Sequence, residues 1–308
     1  MRILVTLIAL SGLVAHGVTQ AQHSPLTSQY LFNGLVINPA YAGSRDALAA
    51  NLSYRQQWVG FEGAPVSQTL SIHAPVARRK VGLGLMILND RIGVSEQTGV
   101  FTSYAYRLRM PNKAKLALGL GVGATLFRAR WTEVAIQQAG DQVFAVDTRH
   151  AIRPNFSAGA YYYNKSWFVG FSLPFLLLHN YNLSDATTVL SDVKLDAQPM
   201  LTGGILFDVS DLLKWKPSTM VRYRTESGLQ ADLSSNFILR DKVWLGVSYR
   251  TGDALIGSVE FLPNPQWRLG YSYDMGLSAI RSYHDGSHEL MLQYEFGYRI
   301  RVKDPRYF

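Results

Sequence analysis

Alternation of apolar and polar residues is the dominant pattern in this chain, and it is most regular towards the C-terminus. From Trp267 to Met275, apolar residues at every second position alternate with Arg, Gly, Ser and Asp. The segments 229–239, 242–250 and 288–301 repeat this pattern. A period of two predicts β-strands that have one apolar face and one polar face.

The same pattern along the whole chain predicts about fourteen strands. Their predicted spans are 47–58, 66–75, 80–89, 98–109, 114–131, 153–164, 166–173, 199–208, 217–225, 229–239, 242–250, 253–262, 266–275 and 288–301. Most of these spans suit a tilted strand that crosses an outer membrane, which needs about 9–11 residues. An even number of strands is typical of bacterial barrels. We therefore predict an all-β fold, a transmembrane antiparallel β-barrel, with twelve or sixteen strands as alternatives.

The charged residues indicate which face of these strands meets lipid. Nine of them fall on the polar face: Arg107, Arg222, Arg224, Arg250, Glu260, Arg268, Asp274, Glu295 and Arg299. A charged side chain on the lipid face near the midplane costs ~2–4 kcal/mol, so this face is predicted to line the lumen. Tyrosines and tryptophans near strand ends predict aromatic girdles. A soluble β-sandwich or soluble barrel is the alternative, but it would normally have its apolar residues inside and carry more than 17% charged residues.

Composition narrows the class of protein further. The chain has 308 residues, a formal net charge of +8 and no cysteine. The lack of cysteine excludes a disulfide scaffold, a cysteine-based zinc site and a thiol nucleophile. The basic balance does not indicate a nucleic-acid partner, because the chain also begins like an exported protein.

The N-terminus predicts export and sets the domain boundaries. Arg2 precedes an apolar stretch over 3–14, and small and polar residues follow up to Ala21, which is typical of a cleavable signal peptide. The apolar stretch is too short for a membrane-spanning helix. We predict a signal peptide over 1–21, an N-terminal segment over 22–46 packed on or in the barrel, a barrel over 47–302 and a tail over 303–308. The predicted location is the outer membrane of a Gram-negative cell.

Connections between the predicted strands are of two lengths. Several are tight turns, whereas 132–153 and 174–198 are long. Outer-membrane barrels have short periplasmic turns and long external loops, so both long connections are predicted to be extracellular.

Motifs for catalysis or cofactor binding are weak. The glycines over 119–123 fit a degenerate dinucleotide-binding pattern, but they alternate within one predicted strand and no helix follows. His288 and Glu289 begin a zinc-protease-like string that lacks its second histidine. We predict no enzyme activity, no cofactor and no metal site. A barrel-embedded hydrolase using His73 or His288 in the lumen is the remaining enzymatic alternative.

Two linked motifs near the N-terminus carry a family resemblance. Residues 28–46 read SQYLFNGLVINPAYAGSRD, residues 54–65 read YRQQWVGFEGAP, and QTLS follows at 68–71. The first contains turn-forming residues and is neither alternating nor helical, so we expect an ordered non-strand piece. Together the motifs resemble the PorP/SprF family of type IX secretion system membrane proteins of Bacteroidetes, most strongly over 28–90.

This resemblance implies an outer-membrane barrel that works with the secretion and gliding machinery. Its implied partners are periplasmic lipoproteins of that system, or large secreted adhesins that it helps to export and retain, and it implies no catalytic residues. From the motifs we hypothesise that seven residues organise the periplasmic side of the barrel: Asn38, Pro39, Tyr41, Gly43, Arg55, Trp58 and Gly60. A purely architectural role is the alternative.

The basic lumen leaves three interpretations open. Its arginines could attract anions into a pore, pair with Glu260, Asp274 and Glu295 inside a filled barrel, or bind lipopolysaccharide phosphates at the rim. The alternative function to type IX secretion is therefore an anion-preferring porin or a FadL-like outer-membrane transporter.

Overall fold

The computed structural model describes residues 27–133, 147–179, 193–225 and 228–296. It contains strands β1 (Leu48–Gln56), β2 (Val66–Val76), β3 (Val81–Ile92), β4 (Ser95–Arg109), β5 (Lys115–Ala129), β6 (Thr148–Tyr163), β7 (Trp167–Leu173), β8 (Leu177–His179), β9 (Val193–Leu195), β10 (Met200–Ile205), β11 (Phe207–Asp208), β12 (Leu213–Arg224), β13 (Gly228–Leu239), β14 (Val243–Arg250), β15 (Ala254–Phe261), β16 (Trp267–Gly276) and β17 (Ser287–Phe296). The predicted signal peptide, the tail and Arg299 lie outside the described residues.

The strands form a closed antiparallel barrel. Each pairs with its neighbours in the sheet, β1 pairs with β17, and β10 closes the circle by pairing with both β7 and β12. β10 and β11 count as one barrel strand because both pair with β12, and β8 and β9 form a separate hairpin. The described barrel therefore has fourteen strands, which confirms the predicted fold class and strand number.

The two faces of each strand differ in the way that the alternation predicts. On β13, the outward-facing Leu229 and Leu233 are 71% and 55% exposed. Asp232 and Asn236, whose side chains lie on the other face of the same strand, are buried. Such an outer surface of exposed leucine, valine and aromatic residues suits lipid, because a soluble protein rarely exposes a continuous apolar surface of this size. The buried polar side chains point into the lumen.

The barrel has two unlike rims. The strand ends at Leu48 and Phe296 share one rim with the short turns 77–80, 110–114, 164–166, 209–212, 240–242 and 262–266. The opposite rim carries the longer connections 57–65, 130–147, 174–199 and 277–286. Both connections predicted to be extracellular are at this second rim, although residues from Thr148 onwards belong to β6. By the rule for outer-membrane barrels, the short-turn rim is periplasmic and the long-loop rim is extracellular.

Residues 27–46 lie inside the barrel, and we call them the plug. Thr27 contacts Glu289 near the long-loop rim, whereas Asp46 contacts Lys115 at the short-turn rim, so the plug runs through the lumen from one rim to the other. Two short 3-10 helices, Gly34–Val36 and Pro39–Tyr41, shape its course. In the described part of the chain, no helix has the length and apolar character needed to cross a membrane.

Candidate functional site in the barrel lumen

The central turn of the plug is fixed by Asn38. Its side-chain oxygen accepts a hydrogen bond from the backbone N–H of Ala40 at 2.9 Å, and Pro39 occupies the first position of the 3-10 helix. This is the usual arrangement at a helix start, where a side chain satisfies a backbone donor and proline removes another. The Asn38 amide nitrogen donates to the carbonyl oxygen of Ala160 on β6 at 3.1 Å. One residue therefore folds the plug locally and attaches it to the wall.

Glycines on the lumen face make room for the plug backbone. A Cβ atom at Gly82 would overlap the carbonyl oxygen of Ala42, and one at Gly119 would overlap the backbone nitrogen of Ala40. These are close approaches between two backbones, which only glycine permits. The glycine run that resembles a dinucleotide-binding pattern is therefore explained by packing on β5.

Tyr41 and His73 connect the inner part of the plug to the wall. The Tyr41 hydroxyl accepts a hydrogen bond from Arg45 Nε at 3.0 Å, and its ring lies 5.4 Å from the His73 ring. His73 Nδ1 accepts from the backbone N–H of Gly43 at 3.1 Å. With Nδ1 acting as acceptor, a neutral His73 ring carries its proton on Nε2. His73 is thus a buried structural residue.

The expectation that His288 faces the lumen is wrong. It neighbours Leu290 on the outward face of β17, its Nδ1 lies 2.7 Å from the Tyr271 hydroxyl, and its ring packs against Tyr273. Glu289 points into the lumen, and neighbouring side chains of a strand point to opposite faces, so His288 points outwards. His73 and His288 therefore lie on opposite faces of the wall. They cannot act together on one substrate.

Arg55 is the centre of a buried charge cluster near the long-loop rim. Its Nη2 donates to Asp274 at 2.7 Å and its Nη1 donates to Glu289 at 3.1 Å. Both carboxylates also bind the start of the plug: the Ser28 backbone N–H donates to Glu289 at 2.7 Å, and the Ser28 hydroxyl donates to Asp274 at 2.7 Å. The first described residues of the plug are therefore held by charge-assisted hydrogen bonds, which are among the strongest.

The cluster extends to two further arginines. Arg250 Nη2 lies 3.1 Å from Asp232 and Arg250 Nη1 lies 3.4 Å from Asp274, while Arg222 approaches Asp232 at 3.8 Å. We call Arg55, Arg222, Arg250, Asp232, Asp274 and Glu289 the outer cluster; all six are buried. Its three arginines match its three carboxylates, so the formal charges within the outer cluster are balanced.

A second cluster surrounds the plug on the side of the short-turn rim. Arg268 lies 3.3 Å from Glu260, and Arg45 of the plug lies 3.6 Å from Glu295. Lys216 completes this set, which we call the inner cluster: Arg45, Lys216, Arg268, Glu260 and Glu295.

Aromatic rings supplement the carboxylates of the inner cluster. The Lys216 ammonium lies 5.4 to 5.9 Å from the ring centroids of Trp244, Phe168 and Phe32. The Arg268 guanidinium lies 4.6 Å from the Trp244 ring. Three cations here face two carboxylates, and the electron-rich faces of the rings stabilise the additional positive charge.

Asp46 closes the inner end of the plug. Its carboxylate accepts hydrogen bonds from Lys115 at 2.6 Å and from Arg107. Burial raises the pKa of Asp46, but the hydrogen bonds and positive charges of Lys115 and Arg107 outweigh it, so its pKa is lowered from the usual value.

The structure separates the seven motif residues. Asn38, Pro39, Tyr41 and Gly43 belong to the plug, and Arg55 to the outer cluster. Trp58 and Gly60, with φ of 44° and 90°, lie in the β1–β2 connection at the long-loop rim. Arg55, Trp58 and Gly60 are therefore at the opposite rim from the periplasmic side where we hypothesised them. Alternate strands of an antiparallel barrel run in the same direction, so β1 ends at the rim where the long connections after β5 and β7 begin.

The described charged residues of the polar face are also accounted for. Arg107, Arg222, Arg250, Glu260, Arg268 and Asp274 are buried in the lumen, and Arg224 and Glu295 are partly buried. Lys216 was missed because the predicted strand began at 217. The sequence did contain a signal for it. The alternation of β12 extends towards the N-terminus through Trp215, which places Lys216 on the polar face.

A recess of about 590 Å³ opens at the long-loop rim, and Arg55 and Asp274 of the outer cluster form part of its lining. Trp58, Arg224, Asp253 and His284 contribute to its lining. In the described parts of the chain, no group of three or more His, Asp or Glu side chains is placed to hold a metal ion.

The family model for the type IX secretion system membrane protein PorP/SprF matches residues 19–294, nearly the whole chain. The chain belongs to the PorP/SprF family. This PorP/SprF protein is accordingly a membrane barrel of a secretion system, which is not an enzyme class, and its fold and family indicate the outer membrane.

Solved structures of outer-membrane barrels resemble this PorP/SprF protein. A Pseudomonas aeruginosa FadL homologue is 12% identical, with a TM-score of 0.49 over 89% of this chain and 95% of that chain. The Acinetobacter baumannii outer membrane protein Omp33 is 8% identical, with a TM-score of 0.47 over 82% of this chain and 99% of that chain. No curated protein matches the sequence.

Proposed function

We propose that this PorP/SprF protein is a plugged docking component of type IX secretion, which takes part in the export or surface retention of large adhesins and binds periplasmic partners. One observation carries the proposal. The lumen is occupied by the protein's own residues 27–46, which extend from one rim to the other. A barrel filled in this way is suited to holding partners at its rims.

The charge distribution supports a docking role over the alternative of an anion-preferring porin. A pore that attracts anions needs a wall with uncompensated positive charge. Here Arg55, Arg250 and Arg268 each contact a buried carboxylate. The apolar side chains of Ile238 and Trp244 also point into the lumen and are fully covered by other residues. A water-filled channel would expose them.

The shape of the long-loop rim supports a role at the cell surface. This rim carries the recess and the longest connections, whereas the short-turn rim is bounded by compact turns. Binding residues are commonly on loops held by a rigid scaffold. We assign adhesin contact to the long-loop rim and contact with periplasmic lipoproteins to the short-turn rim.

Deletion of the gene in its native bacterium tests the proposal. We expect the deletion strain to lose release of type IX cargo or surface display of its adhesins, and the full chain to restore it. The purified full chain in a planar bilayer should give no steady conductance. Normal cargo release and adhesin display in the deletion strain, together with a stable anion-selective conductance, would instead establish the porin alternative.

A further inference from the structure

One half of the short-turn rim is strongly basic. The turns β2–β3, β4–β5 and β6–β7, with their flanking strand ends, contain Arg79, Lys80, Arg109, Lys113, Lys115 and Lys165. We call these six residues the basic arc. All except Lys115 are exposed. The acidic residue described in this half is Asp46, which Lys115 and Arg107 already bind.

The other half of the same rim is balanced. Its turns and flanking strand ends carry Lys214, Arg240 and Lys242 against Asp208, Asp211 and Asp241 in the described residues. Lys214 also forms an ion pair with Asp241 at 2.9 Å. Among the residues that the structure describes, the excess of positive charge at this rim therefore lies on one side of the barrel.

The basic arc is a continuous surface. Strands β2 to β7 are consecutive neighbours in the barrel, so their three turns follow one another along the rim. The lipid-facing ring of Trp167 packs against Tyr162 at 5.1 Å, and Lys165 lies in the turn between them. Aromatic rings of this kind mark the membrane interface. The turns beyond them extend into the periplasm.

We propose that the basic arc is the docking surface for an acidic periplasmic protein. This inference rests on the proposed function, in which the short-turn rim meets periplasmic partners. Anionic lipid headgroups surround a barrel on all sides, so lipid binding would select basic residues in both halves. A charge excess on one side suits a partner that contacts one side.

The arc also lies where the plug leaves the lumen. Lys115 belongs to the arc and holds Asp46, two residues before β1 begins at Leu48. A partner on the arc therefore contacts the wall next to the inner attachment of the plug. Exposed charges of this kind accelerate association with an oppositely charged partner. Salt reduces this acceleration, because counter-ions screen the charges.

Photo-crosslinking in the native bacterium tests the arc. A photoreactive amino acid replaces Ala77 or Asn112, which are exposed in the arc turns, and in controls it replaces the exposed Val209 or Pro263 of the balanced half. We expect a protein adduct from the arc positions, with an acidic surface on the captured protein. The double variant R79Q/K113Q should reduce the adduct at least fivefold, whereas R240Q/K242Q should leave it unchanged.

Heat-modifiable migration on gels checks that each variant still forms the barrel. Adducts with phospholipid alone, equal protein adducts from both halves, or an adduct that R79Q/K113Q does not reduce would each overturn the inference. Cargo release measured in the same strains shows whether the inference about the arc or the proposed function has failed. Any of these three adduct results in a strain whose export needs the protein would overturn the arc alone, whereas export that does not need the protein would overturn the function.

Discussion

The two ends of the plug are held in different ways. At the long-loop rim, Thr27 and Ser28 bind carboxylates of the outer cluster, in which three arginines and three carboxylates are balanced. At the short-turn rim, the plug continues directly into β1 and packs its Phe32 and Tyr41 rings among the aromatic residues of the wall. The inner cluster there has more cations than carboxylates.

This difference follows from the covalent structure. The inner end is tethered to β1, so its position costs little additional entropy and close packing is enough to fix it. The outer end has no such tether among the described residues, and ordering it must be offset by direct interactions. Charge-assisted hydrogen bonds supply these where they are shielded from water. We therefore expect the outer end to depend on charge and the inner end to depend on shape.

Removal of the Arg55 charge should give the largest effect. The variant Arg55→Met keeps much of the side-chain volume but leaves Asp274 and Glu289 without their shared cation. Breaking a buried ion pair on one side costs about 3–5 kcal/mol, because the remaining charge stays buried. Urea unfolding of the barrel in lipid vesicles measures this loss.

The exposed ion pair between Arg128 and Glu96 provides the matched control. Arg128→Met should cost at most about 1 kcal/mol, since solvent screens such pairs. Equal small losses from both variants would mean that the outer cluster does not hold the plug.

A methyl group at Gly82 should give the next largest effect, through shape alone. The variant Gly82→Ala places a Cβ against the carbonyl oxygen of Ala42, and backbone cannot move aside as a flexible side chain can. Overpacking of this kind costs about 1–3 kcal/mol. Gly257→Ala, where a Cβ meets no atom within 4 Å, is the control and should be nearly neutral. The same urea titration compares the two, and equal stability would contradict close packing at the inner end.

The barrel could be predicted from the sequence because the alternation that produces it is a relation between neighbouring residues. Exposed Leu233 and buried Asp232 are adjacent in the chain, and the alternation reports their faces directly. Pairing of lumen arginines with Asp274 inside a filled barrel is one of three interpretations of the sequence, but the outer cluster as a whole could not be predicted, since it joins Arg55 to Asp274 and Glu289 across most of the chain. One signal was present in the sequence. Ile238 and Trp244 are large apolar residues on the predicted lumen face, and such residues indicate a lumen that contains protein.

Neutralising Asp46 should have a smaller, pH-dependent effect. Since the pKa of Asp46 is lower in the folded than in the unfolded protein, its stabilisation is fully present above its unfolded pKa, and it is lost as the pH falls through the folded-state pKa. The carboxylate is partly exposed, so its contribution at neutral pH should be only about 1 kcal/mol. Asp46→Asn should lower stability at pH 7 and flatten its decline in acid. Unfolding titrations from neutral pH into acid compare the variant with the wild type, and parallel curves would exclude this attachment.

Replacement of Lys216 should have the smallest effect on stability. It tests whether the inner end of the plug depends on shape whereas the outer end depends on charge. Lys216→Met removes a buried cation from a cluster in which cations outnumber carboxylates, and it leaves the contact between Arg268 and Glu260 in place. An unbranched apolar side chain can fill the space among Phe32, Phe168 and Trp244. Exchange of a buried charge for a well-packed apolar group of similar volume is often neutral or stabilising. We expect a change within about 1 kcal/mol in urea unfolding. A loss as large as that of Arg55→Met would show that charge holds the inner end as firmly as the outer end.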